Sequence, residues 1–428
     1  MHLIVVLVVL IVVAVLVYKL MLQGGSGEGF GDDSKATYAN DNALFPYYIS
    51  RGKLFFKDKN QSTQQFHSKH IQELSDRLER RNQRHGWKKD TTFGTSFSKM
   101  QRGGFGRGVM QNDSIDAAFT SISQLNGNSI LYFVKDSSFG ALFRYEKEED
   151  KELRLIHRQG LSLTDFSAAN EDGKILCASD YSTGISNIAV MDHECDELRD
   201  LTSGDSVDTA PSWIVSEKSK VVYQSQGLAR NPAGFVVGEG PAAINTLDVE
   251  TGEIKTVFSE SDYDYLMPKV SNDGSLYFIK RPYESIHYGS SGMFFDAILF
   301  PFRLLRAFFH YLNFFSMTYS QKPLTSASGP MIEQDAKELL IQGRRIDAEK
   351  ALRQSRKMNG VPSLVPSSWQ LIRCDKNGNQ KVIERNVMSF SLLGNTVVYS
   401  NGCAIFSMDE SGRKSMIHKD KLIEKFAI

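Results

Sequence analysis

The sequence predicts an all-β fold built from repeated sheets, and three observations support this prediction. Short apolar runs recur along the chain, and several follow Asp-Gly or Asn-Gly turns, which supply the positive φ angles of tight hairpins. A second apolar run usually follows each of them, as in an antiparallel meander. From Tyr132 through Cys177 to Tyr223 the spacing is about 45 residues, the length of one four-stranded blade. Together these features predict a six-bladed β-propeller, and other stretches of the sequence predict an N-terminal transmembrane helix and α-helical insertions.

Six runs carry the repeated strand signal. In each of them aliphatic and aromatic residues follow turn residues, which is the pattern of a buried strand. The six runs are residues 51–56, 126–133, 171–177, 217–223, 272–279 and 394–399. A β-sandwich or two smaller β domains would use similar strands, but a ring also protects sheet edges that an open arrangement exposes. We therefore expect residues 44–428 to form one propeller.

One copy of the repeat resembles the TolB-like, or PD40, class of propeller. That pattern is Leu-Thr, a gap, Pro-x-Trp, an Asp-Gly turn, an aliphatic strand with Tyr or Phe, and then Ser. The matching residues are Leu201-Thr202, Pro211-Ser212-Trp213, Val221-Val222-Tyr223 and Ser225, with Glu217-Lys218-Ser219 where Asp-Gly is usual. The resemblance covers residues 118–279 well and the C-terminal part weakly. It implies the fold and not the function, because the class includes periplasmic scaffolds and the propellers of prolyl-oligopeptidase-like enzymes.

The composition excludes several classes of protein. Of 428 residues, 41% are hydrophobic and 23% are charged, with a formal net charge of +0. This leaves enough apolar residues for a large core and excludes a disordered chain, and the neutral charge gives no overall attraction to nucleic acid. The four cysteines form no CxxC pair, so we expect small buried thiols rather than a disulfide framework or a zinc site.

Residues 1–22 are predicted to anchor the chain in a membrane. Residues 3–22 are mostly Leu, Ile and Val, and about 20 helical residues cross a hydrocarbon layer of roughly 30 Å. A cleaved signal peptide is the alternative, but its basic start and small-residue cleavage site are missing. Lys19 follows the main apolar stretch, so the positive-inside rule favours a cytoplasmic body over a periplasmic or extracellular one. Residues 23–43 are predicted to be a flexible linker.

A basic insertion is expected at about residues 67–110, between the first and second strand signals. Ile71, Leu74 and Leu78 fall on one face of a helix predicted over residues 68–84. The candidate basic patch consists of Arg77, Arg80, Arg81, Arg84, Lys88 and Lys89. Nucleic acid or anionic lipid would suit this charge. We favour a solvated helix followed by a basic loop, because the RGG-like segment after it is a compositional feature, and nucleic acid is not an expected partner.

A second insertion is expected at about residues 284–367, between the two middle strands of the fifth blade. Residues 302–315 show a polar stripe on an otherwise aromatic and aliphatic helix, which is typical of a helix lying in the membrane plane. A second transmembrane span is disfavoured because it would bury Arg303 and Arg306, and packing against the propeller is the remaining alternative. The predicted membrane contacts are Arg303, Arg306, Phe308, Phe309, Leu312 and Phe315.

The second insertion closes with a predicted helical hairpin at residues 332–358. Two apolar faces with Gly343 between them carry this prediction. The faces are Ala336, Leu339 and Leu340, and then Ala348, Ala351 and Leu352. A single hairpin of this kind cannot bury its own faces, so we expect it to lie against the propeller or a partner.

The sequence contains no motif that assigns an enzyme activity. A Gly-x-Ser-x-Gly elbow, a P-loop, an HExxH motif and an EF-hand are all missing. Asp262, Asp264 and Asp273 could line a channel and hold Ca²⁺, but they lack the spacing of a calcium loop. We therefore expect no catalytic residue, no cofactor and no metal.

The predicted function is that of a membrane-anchored β-propeller acting as a protein-binding scaffold. Its expected partners are proteins, with lipid contacts through the N-terminal helix and residues 302–315. The alternative is a ligand sensor or enzyme with a site in the central channel. A scaffold should show an exposed apolar patch without a cluster of buried ionisable groups, whereas an enzyme should show acids, His or Arg converging at the channel.

Overall fold

The computed structural model describes most of the chain between residues 44 and 428. The main stretches are 44–74 without 58–61, 117–284 without 126, 137–138, 168–169, 171 and 193–196, and 357–428 without 358–359. Shorter described pieces are residues 39–40, 76, 80, 338–341, 344–347 and 351–352. Contacts divide the chain into residues 1–37 and a compact unit of residues 38–428, and every described residue belongs to the second unit.

The described part of the chain is an all-β unit, as predicted. The strands of its first half are β1 (Ala39–Asn40), β2 (Tyr47–Ser50), β3 (Lys53–Lys57), β4 (Thr63–Gln65), β5 (Ala118–Gln124), β6 (Ser129–Lys135), β7 (Phe139–Glu146), β8 (Lys151–Gln159), β9 (Leu163–Thr164), β10 (Ile175–Asp180), β11 (Ser186–Met191), β12 (Leu198–Asp200), β13 (Ser206–Trp213) and β14 (Lys220–Arg230). Those of the second half are β15 (Val236–Glu239), β16 (Ala243–Asp248), β17 (Ile254–Phe258), β18 (Tyr263–Val270), β19 (Leu276–Pro282), β20 (Glu338–Ile341), β21 (Arg344–Asp347), β22 (Gln370–Cys374), β23 (Gln380–Arg385), β24 (Ser389–Leu393), β25 (Thr396–Ser400), β26 (Ala404–Met408), β27 (Lys414–Lys419) and β28 (Lys425–Ala427).

Most of the described strands form six antiparallel sheets of four strands. Sheet 1 is β28-β2-β3-β4, sheet 2 is β5-β6-β7-β8, sheet 3 is β9-β10-β11-β12, sheet 4 is β13-β14-β16-β17, sheet 5 is β18-β19-β22-β23 and sheet 6 is β24-β25-β26-β27. Sheets 3 and 4 are joined edge to edge by one parallel pair, Ser186 with Val207. In each sheet except the first, the strands lie side by side in the order in which they occur along the chain. Sheet 4 skips β15, and sheet 5 skips β20 and β21, so that β19 pairs directly with β22 across the long second insertion.

The middle strands are buried on both faces, which explains why their sequences read as continuous apolar runs. In β6, Ile130 and Tyr132 belong to a cluster shared with sheet 1. The alternate residues Leu131 and Phe133 belong to a cluster shared with sheet 3. Side chains of a strand point alternately to its two faces, so one strand contributes to two cores. Equivalent clusters join sheets 3 and 4, 4 and 5, and 5 and 6.

A sixth cluster joins the last sheet to the first. Tyr48 of β2 packs with Val398, Ile405 and Ile417 of sheet 6 and with Ile423. The Tyr48 hydroxyl donates to Asp420. The C-terminal strand β28 then pairs with β2 of sheet 1, and the first described strand, β1, pairs in parallel with β27 at the edge of sheet 6. Successive sheets are therefore packed face to face from sheet 1 through sheet 6 and back to sheet 1.

The predicted helical hairpin of the second insertion is wrong over residues 338–347. These residues form the antiparallel β-hairpin β20–β21, in which Glu338 pairs with Asp347 and Ile341 with Arg344. Two residues separate the strands, and the second is Gly343, a composition that favours a tight β-turn. Ile346 packs against the core shared by sheets 5 and 6. The contact with this core stabilises the β-hairpin, whereas the sequence pattern around Gly343 also allows two helices.

The predicted helix of the basic insertion begins where the sequence placed it. Residues 69–74, 76 and 80 are helical. Ser68 caps this helix, because its Oγ accepts the Ile71 N–H at 3.2 Å. Glu152 of β8 accepts both the Ser68 hydroxyl, at 2.5 Å, and the Lys69 N–H, at 3.0 Å. The start of the helix is therefore held against sheet 2.

The two predicted membrane segments, residues 3–22 and 302–315, lie outside the described residues. Among the residues that are described, no helix combines the length and apolar character needed to cross a bilayer.

Candidate functional site

A cavity of about 1080 Å³ is lined by residues from all six sheets. Its wall comes mainly from the carboxyl ends of the first strand of each sheet and from the turns that follow. Phe166, Trp213, Phe390 and Phe426 contribute large apolar surfaces. A cavity of this size, mostly apolar with a few polar groups, has the general character of a small-molecule or peptide site.

Three residues at the cavity have left-handed backbone conformations, which residues other than glycine rarely adopt. They are Asp165, Ala210 and Met267, with φ of 50°, 51° and 52°. The β-ladders beside Ala210 and Met267 also shift register, as expected at β-bulges, which re-aim neighbouring side chains. Such strain costs about 1–3 kcal/mol per residue and persists only where its surroundings enforce it.

Each of these three residues is held by a side chain of the preceding sheet. The Asp165 N–H donates to Ser121 Oγ at 3.1 Å, and the Met267 N–H donates to Gln224 Oε1 at 2.9 Å. The Ala210 N–H donates to the Asp165 carboxylate. These bonds link sheets 2 to 3, 3 to 4 and 4 to 5, so they fix the backbone at the cavity wall.

Asp165 and Lys425 form an ion pair at the cavity, with 2.9 Å between Nζ and Oδ1. Their side chains keep 31% and 32% of their surface accessible because they face the cavity. Burial alone would raise the pKa of Asp165. The charge and hydrogen bond of Lys425, the Ala210 N–H and the charge of Lys269 outweigh burial and hold this pKa below its ordinary value.

Lys269 lies at the same cavity without a carboxylate partner at ion-pair distance among the described residues. Its Nζ lies 3.5 Å from Ser391 Oγ and 5.9 Å from the centre of the Phe390 ring. Burial lowers the pKa of Lys269 to about 8, and the charge of Asp165 opposes this shift only partly. A cationic amine held in this way is costly for the fold.

The cavity lining carries an excess of positive charge. Its described residues include five lysines (Lys57, Lys147, Lys218, Lys269 and Lys425) and two aspartates (Asp165 and Asp172), with no Glu, Arg or His. Charges of one sign on the low-dielectric walls of a cleft concentrate the electric field inside it. The lining therefore suits an anion.

A second surface feature is a β-hairpin that extends from sheet 4, termed here the projecting hairpin (residues 228–239). Strand β14 pairs with β16 only as far as Ser225 and then continues to pair with β15. Its tip exposes Phe235, Val236 and Val237, with 70%, 39% and 49% of their surface accessible. The cavity residues of sheet 4 lie at the opposite end of β14, so the two features are at different ends of the sheet.

Hydrogen bonds fix the shape of the projecting hairpin. Asn231 Oδ1 accepts the N–H groups of Ala233 and Phe235, at 3.1 and 3.0 Å. Arg230 binds the Asp205 carboxylate and also donates to the Thr183 carbonyl oxygen at 3.1 Å. The apolar tip is therefore presented by a preorganised backbone.

The structure separates the residues that the sequence singled out. Asp264 is buried in an ion pair with Arg281, and Asp273 binds Arg373 in a turn. Neither aspartate lines the cavity. Among the described residues no group of His, Cys, Asp or Glu could hold a metal ion.

Of the candidate basic patch, the side chain of Arg80 is described, and it is exposed. Arg77, Arg81, Arg84, Lys88 and Lys89 lie outside the described side chains, as do all six predicted membrane contacts. The prediction of small buried thiols is confirmed for Cys177, Cys374 and Cys403, which are buried. Burial raises the pKa of Cys403 to about 11, so its thiol is unreactive at neutral pH.

The sequence signals for both surface features were present but were not recognised. Asn231-Pro232-Ala233-Gly234 separates two apolar runs, which is the composition of a hairpin turn. Lys269 and Lys425 interrupt strand-like runs, and a lysine within a buried strand is a signal of a functional or paired site. No sequence feature placed these two lysines at one cavity.

Comparisons with known proteins bear on the fold. No protein-family model matches the sequence, and no curated protein is similar to it. Among solved structures, the chain is similar to TolB from Acinetobacter baumannii, with a TM-score of 0.45, 12% identity, and coverage of 90% of this chain and 65% of that chain. A nidogen/laminin complex matches with a TM-score of 0.45 and 8% identity, covering 90% and 97%. The tricorn protease matches with a TM-score of 0.40 and 10% identity, covering 92% and 36%.

The described residues form repeated four-stranded antiparallel sheets, as the sequence predicted, and the solved structures similar to the chain include TolB-like proteins. The chain spans less than two thirds of the TolB chain that it matches. These similarities concern the fold, and neither an activity nor a partner passes from those proteins to this one.

Proposed function

We propose that this chain is a membrane-anchored, six-bladed β-propeller that binds protein partners and has no catalytic role. The projecting hairpin carries the proposal. The propeller comprises residues 44–428, with insertions at about residues 67–110 and 284–367. The six sheets are its blades, because each of the six apolar clusters joins two successive sheets and the last cluster returns to sheet 1.

The projecting hairpin suits a protein partner because its tip holds apolar side chains in water without contributing them to the core. The side chains of Phe235 and Val237 keep 70% and 49% of their surface exposed to solvent. Clustered exposed apolar residues are characteristic of interaction sites. The fixed backbone lowers the entropy lost on binding. A large aromatic flanked by aliphatic residues is a suitable anchor for a partner's pocket.

Replacing Phe235 and Val237 with serine is expected to abolish partner binding without weakening the fold. Each loss of an anchoring side chain costs about 1–2 kcal/mol or more of binding free energy, so the double variant should retain less than a tenth of the bound partner. The measurement is affinity purification of the tagged full chain from detergent-solubilised membranes, with quantitative mass spectrometry of the proteins recovered.

Ile254→Ser is the matched control, because Ile254 is 50% accessible and lies on the outer strand β17. Proteins recovered by the wild type and the control, and lost with the double variant, are the expected partners. Equal recovery by all three chains would contradict the proposal that the hairpin is the contact surface.

Deleting residues 3–22 is expected to release the chain from membranes. The apolar run is expected to provide the anchoring, and the helix predicted at residues 302–315 is expected to add only an in-plane contact. In cell fractionation the intact chain should remain in the pellet after an alkaline carbonate wash, and the deletion variant should move largely to the supernatant. Anchoring by this run is excluded if the deletion variant still resists the wash.

The positive-inside rule, applied to Lys19, predicts that residues 23–428 lie in the cytoplasm. Protease protection of intact cells would test this orientation.

The alternative function, a ligand sensor or enzyme acting through the channel, is supported by one observation. Ionisable groups converge at the cavity, where Lys269 lies near Ser391 and the Asp165–Lys425 pair. The described lining contains no His, Glu or Arg, which favours ligand binding over acid–base catalysis for this cavity.

A further inference from the structure

The cavity holds polar groups that the fold alone does not require. The Lys269 ammonium group has a serine hydroxyl at 3.5 Å as its hydrogen-bond partner. Ser389, which also lines the cavity and is only 5% accessible, has a hydroxyl oxygen without a hydrogen-bond partner among the described residues. Buried polar groups are normally satisfied, so the unpartnered Ser389 hydroxyl indicates that a ligand completes its bonding, and the half-buried Lys269 adds a positive charge to the same cavity.

These polar groups belong to three sheets that meet at the cavity. Lys269 comes from sheet 5, Ser389 and Ser391 from sheet 6, and Lys425 from sheet 1. Lys425 is already paired with Asp165, whereas Lys269 has no such described partner. An anion beside Lys269 would therefore supply the missing carboxylate or phosphate oxygen, while Lys425 offsets the negative charge of Asp165, which would otherwise repel the anion.

The walls around this polar group restrict the ligand. Phe390 lies 5.9 Å from the Lys269 ammonium, and Phe166, Trp213 and Phe426 line the same cavity. A free inorganic anion would leave these surfaces in contact with water. An organic molecule with one anionic group and an apolar body would cover them and satisfy the lysine together.

We propose that the cavity is a binding site for a small organic anion, whose carboxylate, phosphate or sulfonate group is held by Lys269 and Ser391. This site is separate from the projecting hairpin, so it does not depend on the proposed protein binding. Lysine binds such groups as a point charge and not through a planar fork, so the site selects for charge and an apolar body more than for the geometry of the anionic group.

The other charged and titratable groups at the cavity set the background for this site. They are Lys57 and Lys425 from sheet 1, Tyr47, Tyr145 and Lys147 from sheets 1 and 2, Asp165 and Asp172 from sheet 3, and Lys218 from sheet 4. Lys57 donates to the Ile417 carbonyl oxygen at 2.9 Å, and Lys147 donates to Gln124 Oε1 at 3.1 Å. Because Lys57, Lys147 and Lys425 already bind a carbonyl, an amide or a carboxylate oxygen, Lys269 is the cation best placed to bind the anion.

A pair of fluorescent probes tests the proposal. 8-Anilinonaphthalene-1-sulfonate carries a sulfonate on an aromatic body, and N-phenyl-1-naphthylamine has nearly the same body without the charge. We expect the wild-type chain to bind the sulfonate at least about 10-fold more tightly, since one desolvated charge contact commonly contributes that much. Lys269→Met should remove this preference and leave the affinity for the neutral probe within about twofold.

The control variants separate the cavity from other surfaces. Lys255→Met removes an exposed lysine of β17 that is 70% accessible, and it should leave both affinities unchanged. The hairpin variant with serine at positions 235 and 237 should also retain the preference for the sulfonate. Equal binding of the two probes by the wild type, or loss of sulfonate binding in the hairpin variant alone, would overturn the proposal.

The pH dependence of the wild type gives a readout that requires no variant to fold. Burial lowers the pKa of Lys269 to about 8, so the lysine loses its charge as the pH rises through this value. Affinity for the sulfonate should therefore fall about 10-fold or more between pH 7 and pH 9.5, whereas affinity for the neutral probe should not. A sulfonate affinity that stays constant across this range would show that Lys269 does not hold the anion.

Discussion

Replacing Asp264 with alanine is expected to lower the free energy of unfolding by about 3–5 kcal/mol. Asp264 and Arg281 are 2.8 Å apart, and their side chains are only 3% and 4% accessible. The variant would leave the guanidinium group in the core without this carboxylate. It would also remove the acceptor of the buried Ala242 N–H, which donates to Asp264 at 3.0 Å.

The surroundings of Arg281 explain why solvent cannot replace the lost carboxylate. Its guanidinium carbon lies 4.6 Å from the centre of the Trp369 ring, and Trp369 is fully buried. Water has little access to the charge, so the desolvation cost of Arg281 remains when its attraction to Asp264 is gone. The loss should therefore be far greater than for an exposed pair.

Thermal and urea unfolding of the variants test this prediction. Glu253→Ala is the matched control, because Glu253 pairs with Lys255 where both side chains are more than 60% accessible, and it should cost less than about 1 kcal/mol. The double variant Asp264→Leu/Arg281→Met should recover most of the stability, since it removes both charges. A loss below about 1 kcal/mol for Asp264→Ala would show that the pair does not stabilise sheet 5.

Removing residues 422–428 is expected to abolish cooperative folding of the propeller. These residues include β28, which pairs with β2 through Tyr48 and Phe426. They also include Ile423, which is fully buried against sheet 6. Without them sheet 1 loses one strand, and the apolar cluster between sheets 6 and 1 opens to water.

A point variant gives the same test on a smaller scale. Ile423→Ala should cost about 2–5 kcal/mol, the range for removing a buried isoleucine side chain. Lys421→Ala is the control, because Lys421 is exposed and substitutions of this kind change stability by about 0.5 kcal/mol or less. Thermal unfolding and limited proteolysis provide the measurements. If the chain without residues 422–428 unfolds in the same way as the wild type, the contact between sheets 6 and 1 does not hold the fold together.

The strands were predictable because their signal is local. In β6 and β25 both faces are buried, so nearly every residue is apolar and the turn residues before them mark the start. The same reasoning explains the failure at residues 338–347. Leucine and isoleucine on both sides of Gly343 are compatible with a helix or a hairpin, and only the contact of Ile346 with the core of sheets 5 and 6 distinguishes them.

The candidate sites were much less predictable. The projecting hairpin requires β14 to continue beyond its pairing with β16, and the residue at which a strand ends is poorly defined by sequence. The ion pair of Asp264 was not predictable, because Arg281 becomes its neighbour only through the pairing of β18 with β19. The cavity lysines carried no motif.

The sequence by itself determined an all-β chain of repeated sheets, since burial on both faces of a strand leaves a pattern within six to eight residues. The tertiary structure alone decided the cavity. Asp165, Lys269 and Lys425 come from sheets 3, 5 and 1. Asp165 and Lys425 form an ion pair although they are 260 residues apart in the sequence. Their electrostatic coupling depends on distance in space, which only the packing of successive sheets creates.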